Sequence, residues 1–301
     1  MPGDLIGVAA PSGPVDASRL EAGSALLRSL GYRTRAARNA GLRSGTLGLA
    51  GSDAERLAGY RDLLLDPEVK AIFLARGGYG LLRLLPLLDP AEVAAHPKIH
   101  CGFSDATALH AFLLTRCGLP SFHGPMVAAE LAAGHVDPEV RPFFPSLLEG
   151  RGPREIPFDR ADILVSGSAS GPLVGGCLSI LAALVGSPEE FDFGGAILFL
   201  EDVAEEAYRI DRMLGTLQRA KRMDKLRGVL IGSFARVTFG GVEDSSRLRE
   251  LLLERFAPLG VPVVAGLPAG HRAPNVPLPV GARVTWDGQR KVLRLDEEVV
   301  S

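Results

Sequence analysis

The chain has 301 residues, of which 47% are hydrophobic and 23% are charged, a balance typical of a globular protein with enough apolar material for two domains. Its formal net charge is only −2, so it lacks the basic surface that binds nucleic acid or an acidic membrane, and a small-molecule partner is expected. No apolar run approaches the ~20 residues that span a bilayer, and MPGDLIGVAAPSG does not resemble a signal peptide, which predicts a cytoplasmic protein.

Short apolar runs alternate with amphipathic stretches over roughly the first 120 residues. The predicted elements there are strands from residues 5, 33, 71 and 99 and helices over residues 18–30, 53–65 and 105–116. Strands that alternate with helices in this way are typical of a parallel sheet covered by helices on its faces.

The pattern weakens where five prolines interrupt residues 129–161, so this segment is the predicted connection between an N-terminal domain (1–128) and a C-terminal domain (162–301). The second domain has predicted strands near residue 163 and from residues 196, 228 and 261, with helices over residues 177–184, 210–219 and 246–256. The chain ends in a predicted hairpin that turns at Asp287 and Gly288.

Ser104 lies in HCGFSDATALH, where an apolar strand ends at Gly102 and a helix begins almost at once. A serine in such a sharp turn exposes its hydroxyl at the carboxyl end of the sheet, as in a nucleophile elbow. The helix N-terminus behind it offers free backbone N–H groups to a developing oxyanion. A serine followed by Asp105 is also typical of a helix N-cap, and the local pattern alone favours the cap.

The segment RGGYG, residues 76–80, follows a neighbouring strand and precedes a helix. Ligands of open α/β sheets bind at this edge, and glycines allow backbone N–H groups to approach a ligand, so Gly77 or Gly78 is a candidate oxyanion donor. The alternative is an ordinary helix-entry turn. The Walker and GxGxxG patterns are missing, and the three cysteines lack CxxC spacing, so no nucleotide cofactor, metal or disulfide framework is expected.

A nucleophilic serine needs a base, and two of the six histidines are candidates. His271 lies in GLPAGHRAPNVPLPVG, an irregular loop after a strand, where functional side chains concentrate. His123, in FHGPM, is equally explained as a strand-end residue. The base needs a carboxylate to orient it, and Glu201 and Asp202 end the apolar strand in LFLEDVAEE. An ordinary strand-end charge is the alternative for Glu201.

Seven motifs run through nearly the whole chain, in the order PGDLIGVAAPSG, RGGYG, GFSDATALH, FHGPM, GGCLSIL, LFLEDVAEEAYRIDRML and GHRAPNVPLPVG. Together they resemble the LD-carboxypeptidase family, serine peptidase family S66. The resemblance implies an α/β protein with a flavodoxin-like parallel-sheet N-terminal domain and a smaller β-rich mixed C-terminal domain. It also implies a homodimer and a site between the two domains.

Motif by motif, the resemblance implies that Ser104 is the nucleophile, His271 the general base and Glu201 the carboxylate that orients the base. It further implies an oxyanion hole formed by the backbone N–H of Asp105 and that of a glycine in RGGYG, for which Gly78 is chosen. Arg76 is the candidate for binding the terminal carboxylate of the substrate, and a structural ion pair is the alternative for it.

The activity implied is that of a serine carboxypeptidase of cell-wall recycling, which cleaves the L,D-amide bond that holds the terminal D-Ala of murein tetrapeptides. One alternative is a microcin-immunity-type amidase that cleaves acyl-nucleotide conjugates through a sulfamoyl or phosphoramidate link. In those relatives a tryptophan outside the triad motifs stacks on adenine, whereas the only tryptophan here is Trp286 in the terminal hairpin, which favours the peptide substrate. An alternative of another class is a non-catalytic module that binds small peptides.

Overall fold

The structure is a computed structural model that describes residues 1–300, except for the side chains of residues 145–147. Its strands are β1 (Leu5–Ala9), β2 (Arg33–Ala36), β3 (Val69–Leu74), β4 (Ile99–Gly102), β5 (Ser121–His123), β6 (Glu155–Pro157), β7 (Asp162–Val165), β8 (Ala169–Cys177), β9 (Ile197–Val203), β10 (Gly228–Ala235), β11 (Thr238–Phe239), β12 (Val242–Glu243), β13 (Val263–Ala265), β14 (Leu278–Val280), β15 (Arg283–Asp287) and β16 (Val292–Leu295). Its helices are α1 (Ala17–Ser29), α2 (Asp53–Leu64), α3 (Leu81–Leu84), α4 (Pro90–Ala95), α5 (Ala106–Cys117), α6 (Phe144–Glu149), α7 (Leu178–Leu184), α8 (Ala207–Arg219) and α9 (Ser245–Phe256).

The first sheet has the strand order β14-β5-β4-β3-β1-β2. Strands β1 to β5 are parallel, and their order is that of a flavodoxin-like sheet. Every residue of β1 is buried, because helices cover both faces of a parallel sheet and its strands are therefore continuous apolar runs. The predicted flavodoxin-like parallel sheet is confirmed.

The first helices begin at local capping signals. Asp16 precedes α1, and its carboxylate accepts hydrogen bonds from the N–H groups of Ser18 and Arg19. Ser52 and Glu55 form a capping box at the start of α2, in which each side chain satisfies a backbone N–H that the helix leaves free. Helices α1 and α2 each lie within one residue of their predicted bounds, because these signals are encoded next to the helix itself. Helix α5 also lies within one residue of its predicted bounds, although it has no side-chain cap.

The second sheet has the order β6-β16-β15-β8-β9-β10-β13-β7. Its four central strands, β8, β9, β10 and β13, are parallel, and the strands on either side pair antiparallel. The predicted mixed, strand-rich C-terminal part is confirmed. The proposed domain limits, 1–128, 129–161 and 162–301, stay a prediction, and Ser301 lies outside the described residues.

Strand β8 is not among the predicted strands, because glycines interrupt its apolar pattern. A Cβ added at Gly176 would lie 2.4 Å from Oγ1 of Thr107 on α5. Glycine at this position therefore allows the helix that follows Ser104 to approach the second sheet closely, a requirement set by tertiary contact and not by strand propensity.

The terminal hairpin differs from its prediction in the turn. Strands β15 and β16 pair antiparallel with Asp287 opposite Val292, so four residues, 288–291, connect them and Asp287 still belongs to the strand. The Asp287 carboxylate accepts hydrogen bonds from the N–H groups of Gln289 and Arg290. The predicted turn at Asp287 and Gly288 is wrong, because this side chain stabilises a longer connection.

Strand β14 connects the two sheets. It follows β13 of the second sheet after residues 266–277 and pairs antiparallel with β5 at the edge of the first. Within residues 1–300 no helix is both long and apolar enough to cross a membrane.

Candidate active site

A cleft of about 430 Å³ lies at the carboxyl ends of the first sheet. Ser104, Arg76, Gly77 and Gly78 line it from the loops after β4 and β3, and His271 lines it from the loop after β13. The strand order reverses between β1 and β3, and α/β sheets bind ligands at the carboxyl ends beside such a reversal. Residues predicted from separate motifs therefore meet in one cleft.

Ser104 has a strained backbone. It lies between the end of β4 and the start of α5 with φ of 64°, a left-handed conformation that is uncommon for residues other than glycine. The N-cap position of α5 is taken by Asp105, whose side chain makes no capping hydrogen bond to that helix. Ser104 is therefore not the N-cap of α5, and its geometry matches a nucleophile elbow.

The two glycines of the loop after β3 have different surroundings. A Cβ added at Gly77 would lie 2.8 Å from Cβ and 3.0 Å from Oγ of Ser104, so any side chain there would collide with the serine. Gly78 has φ of 118°, which L-residues rarely adopt. Gly77 thus makes room for Ser104, and Gly78 allows the turn.

The Asp105 side chain connects three loops of the site. It is 1% exposed, and its Oδ2 accepts hydrogen bonds from Oγ of Ser12 at 2.5 Å and from the N–H of Leu81 at 2.9 Å. Burial raises the pKa of this carboxyl group, and the two hydrogen bonds oppose the rise. Ser12, after β1, lies in the motif PGDLIGVAAPSG but was not among the predicted site residues.

His271 and Glu201 form a hydrogen-bonded pair. Nδ1 of His271 lies 2.6 Å from Oε2 of Glu201, whose side chain has no exposed surface. An ionised carboxylate only accepts hydrogen bonds, so Nδ1 carries the proton and Nε2 is the nitrogen free to take one. Burial raises the pKa of Glu201, and the hydrogen bond from His271 opposes the rise.

Several contacts hold the His271 loop. Oγ of Ser233 accepts the N–H of Arg272 at 3.1 Å, and Oδ1 of Asn275 accepts the N–H of Gly270 at 2.9 Å. A Cβ added at Gly270 would lie 2.7 Å from Oε2 of Glu201. Glycine there lets the carboxylate reach the imidazole.

Helix α5, which follows Ser104, contacts the strand beside Glu201. Oγ1 of Thr107, in the first turn of α5, accepts the N–H of Cys177 at 3.0 Å. Cys177 is the register partner of Glu201 between β8 and β9. The turn that carries Ser104 and the strand that carries Glu201 are therefore joined by a short chain of contacts.

The two remaining candidates from the sequence are His123 and Asp202. His123 is fully buried, its ring packs between Phe103 and Phe199, and burial lowers its pKa well below the usual range. Asp202 accepts the N–H groups of Ser179 and Val203. Asp202 thus has a structural role, whereas both ring nitrogens of His123 are buried without a hydrogen-bond partner in the described part of the chain.

Arg76 and Glu130 are charged side chains of the cleft lining. Arg76 is exposed, and its guanidinium donates to the carbonyl of Pro14 at 3.2 Å; it has no ion pair within residues 1–300. The structural ion pair considered for Arg76 is thus not observed there. Glu130 was missed by sequence reasoning, because VAAE has no motif that predicts a role.

Two protein-family models match the chain. One, described as LD-carboxypeptidase N-terminal domain, matches residues 6–124, and one described as LD-carboxypeptidase C-terminal domain matches residues 170–286. A Bacillus subtilis protein named probable murein peptide carboxypeptidase is 34% identical over 303 residues, which cover 99% of this chain and 93% of that protein.

Solved structures share the whole fold. Muramoyltetrapeptide carboxypeptidase from Oxalobacter formigenes superimposes with a TM-score of 0.81 at 31% identity, over 96% of this chain and 98% of that one. MccF in complex with glutamyl sulfamoyl guanosine gives a TM-score of 0.89 at 25% identity, over 100% and 98% of the chains. The Escherichia coli protein of that name is the microcin C7 self-immunity protein. With both family models matched in order along the sequence, this chain belongs to the LD-carboxypeptidase family, peptidase family S66.

Proposed function

We propose that this protein is a serine carboxypeptidase that releases the terminal D-Ala of murein tetrapeptides, with Ser104 as nucleophile, His271 as general base and Glu201 as the orienting carboxylate. The observation that supports it most is the combination of a strained elbow serine and a carboxylate-bound histidine on one cleft. A cytoplasmic location and a homodimer belong to the same proposal.

In the acylation step, Oγ of Ser104 attacks the carbonyl carbon of the third residue while Nε2 of His271 takes the hydroxyl proton. The imidazolium that forms is stabilised by Glu201, whose buried negative charge acts in a medium of low dielectric constant. The tetrahedral intermediate then collapses, the C–N bond breaks, and His271 gives its proton to the amine of the leaving D-Ala.

In the deacylation step, His271 takes a proton from a water molecule, which attacks the acyl-enzyme ester. The second tetrahedral intermediate releases the tripeptide carboxylate, and the proton returns to Oγ of Ser104. One histidine therefore serves as base and acid in both halves of the reaction, and no group outside the chain and its substrates is consumed.

The oxyanion of each intermediate is proposed to accept hydrogen bonds from the backbone N–H groups of Asp105 and Gly78. Neither N–H has an acceptor among the hydrogen bonds of the described residues. Each such donor contributes roughly 3 kcal/mol to transition-state stabilisation in enzymes that use it. The terminal carboxylate of the substrate is proposed to bind the Arg76 guanidinium, which has no carboxylate partner in the described chain.

The alternative substrate is an acyl-nucleotide conjugate, as in the MccF complex. Two observations favour the peptide. The identity to the solved muramoyltetrapeptide carboxypeptidase is 31%, against 25% to MccF. In addition, Trp286 is 1% exposed and lies on β15 outside the cleft lining, so it is not available to stack on a base.

Mass spectrometry of products from a panel of L,D-linked tetrapeptides and acyl-nucleotide conjugates tests the proposal. We expect the wild-type protein to release D-Ala from tetrapeptides only, and Ser104→Ala to lower that rate by at least ~10⁴-fold. Ser44→Ala, on a loop outside the cleft, is the matched control and should be fully active. Cleavage of the conjugates alone would support the amidase, and tight binding of peptides without any cleavage would support the binding module.

A further inference from the structure

Glu130 is a carboxylate of the cleft lining for which the proposed mechanism has no use. It lies in the turn after β5 and shares the cleft with Ser104 and His271. Its Oε2 accepts the N–H of Met126 at 3.0 Å, and it forms no ion pair within residues 1–300. Burial raises the pKa of Glu130, and the hydrogen bond from the N–H of Met126 opposes the rise.

The backbone that carries Glu130 is held in place. The N–H groups of Val127 and Ala128 donate to the carbonyls of Leu74 and Ala75 at 3.1 and 2.8 Å. From α1, the Arg19 guanidinium donates to the carbonyls of Ala128 and Ala129 at 2.8 and 3.1 Å. A carboxylate on such a fixed segment loses little conformational entropy when a ligand binds it.

The charged side chains of the cleft differ in how many hydrogen bonds they already make within the protein. Asp16 accepts the N–H groups of Ser18 and Arg19 as the cap of α1, and Arg19 is bound to the two carbonyls described above. Among the charged side chains that line the described cleft besides His271, this leaves Arg76 and Glu130, which have one backbone hydrogen bond each, to the carbonyl of Pro14 and from the N–H of Met126. The available pair thus has one positive and one negative charge, which suits a ligand with both.

The proposed substrate has this charge pattern, because its terminal carboxylate is negative and its third residue, lysine or meso-diaminopimelate, has an ammonium group on the side chain. Building on the proposed function, we infer that Glu130 binds this ammonium group and makes the enzyme specific for a third residue whose side chain has an ammonium group, on the acyl side of the scissile bond. With Oε2 held by Met126, Oε1 is the acceptor for the ammonium. A charge-assisted hydrogen bond in a half-buried site is stronger than one in open water.

The test compares two tetrapeptides that differ only in the third residue, which is lysine or norleucine. The two side chains have the same number of carbon atoms, and only lysine has the ammonium group. We expect Glu130→Gln to lower kcat/KM for the lysine peptide by ~10–100-fold, which corresponds to one charged hydrogen bond. The norleucine peptide should be cleaved equally by both proteins. Glu254→Gln, at an exposed position on α9, is the matched control and should change neither rate.

An equal loss on both peptides, with a shifted pH profile, would overturn the inference and mean that Glu130 acts through His271. Equal cleavage of both peptides by the wild type would also overturn it while the proposed function stands. If the wild type cleaves neither peptide, the proposed function fails, and calorimetry of the lysine peptide with Ser104→Ala and with Ser104→Ala/Glu130→Gln decides the inference. At least tenfold weaker binding to the double variant supports it, and equal or undetectable binding overturns it.

Discussion

Nδ1 of His271 lies 2.6 Å from Oε2 of Glu201, although Glu201 is on β9 and His271 is in the loop after β13. Strands β9 and β13 both pair with β10 in parallel, so their carboxyl ends lie at the same edge of the second sheet. The pair therefore follows from the sheet topology, and the burial of Glu201 makes the histidine its main source of compensation.

The first prediction concerns Glu201→Gln, which keeps the shape of the side chain and removes its charge. The amide no longer fixes the imidazole tautomer or stabilises the imidazolium, so kcat/KM should fall by ~10³–10⁴-fold. Burial raises the pKa of Glu201, so at neutral pH its ionised form costs stability, and the variant should unfold no more easily than wild type. Peptide kinetics and urea unfolding measure both; an inactive variant that is also much less stable would contradict the prediction.

The second prediction concerns Gly77→Ala. Its Cβ would lie 2.8 Å from Cβ of Ser104, so either the loop or Ser104 must move, and a displacement of this kind costs at least ~10²-fold in kcat if Ser104 is the nucleophile. Gly215→Ala is the matched control, because a Cβ there meets nothing within 4 Å. It lies inside α8 and should raise the unfolding free energy by ~0.5–1 kcal/mol with unchanged activity. Normal turnover by Gly77→Ala would refute the close approach.

The third prediction concerns Asp105→Ala. The change leaves the Ser12 hydroxyl and the Leu81 N–H without their acceptor in a buried place, which should lower the unfolding free energy by ~2–4 kcal/mol. The loops after β1 and β3 lose their common anchor, so kcat/KM should fall as well. Ser12→Ala removes one hydrogen bond only and should have a smaller effect on stability. Calorimetric unfolding of the three proteins would reveal the order, and equal stabilities would be inconsistent with this anchor.

The fourth prediction concerns pH and His110. Nε2 of His110 donates to the carbonyl of Gly102 at 2.9 Å and Nδ1 accepts from Oγ of Ser121 at 2.8 Å, while burial lowers its pKa to about 4. The unfolded chain takes up the proton near the ordinary value of ~6.5. Stability from His110 is therefore complete above that pH and is lost as the pH falls toward 4, by roughly 3 kcal/mol.

The comparison for this fourth prediction is His110→Gln, which does not titrate. Burial raises the pKa values of Asp105 and Glu201, so these acids favour the folded state more as the pH falls. Both proteins contain them, and their contribution therefore cancels in the difference between the two unfolding free energies. Urea unfolding between pH 7.5 and 4 should show wild type losing more stability than the variant. Parallel pH profiles would exclude a buried neutral histidine.

Local signals in the sequence predict much of the fold. The capping residues Asp16 and Ser52 mark the starts of α1 and α2, and the apolar run at β9 predicts a strand. Strand β8 was not predictable in this way, because Gly176 is required by the approach of Thr107 on α5. The turn after Asp287 depends on hydrogen bonds from the N–H groups of Gln289 and Arg290 to its carboxylate. The Asp-Gly dipeptide alone does not predict them.

For the candidate site, residue types and strand ends predict Ser104, Glu201 and His271 as chemical candidates. The contact between Glu201 and His271 depends on the topology of the second sheet, which the sequence pattern did not specify. Glu130 had no local signal at all, because its place in the cleft depends on Arg19 and on the end of β3. Catalytic roles of the triad stay predictions until the variants are measured.

Because β14 pairs with β5 of the first sheet, the protein is not expected to separate into two independently stable fragments. A chain cut between residues 124 and 170, where neither family model matches, would give a first fragment whose strand β5 lacks the neighbour that β14 supplies. That fragment would expose an open sheet edge and would tend to aggregate or to recruit another strand. Activity should therefore return only when the two fragments are produced together, so that β14 closes the edge of β5 and brings the histidine loop with it.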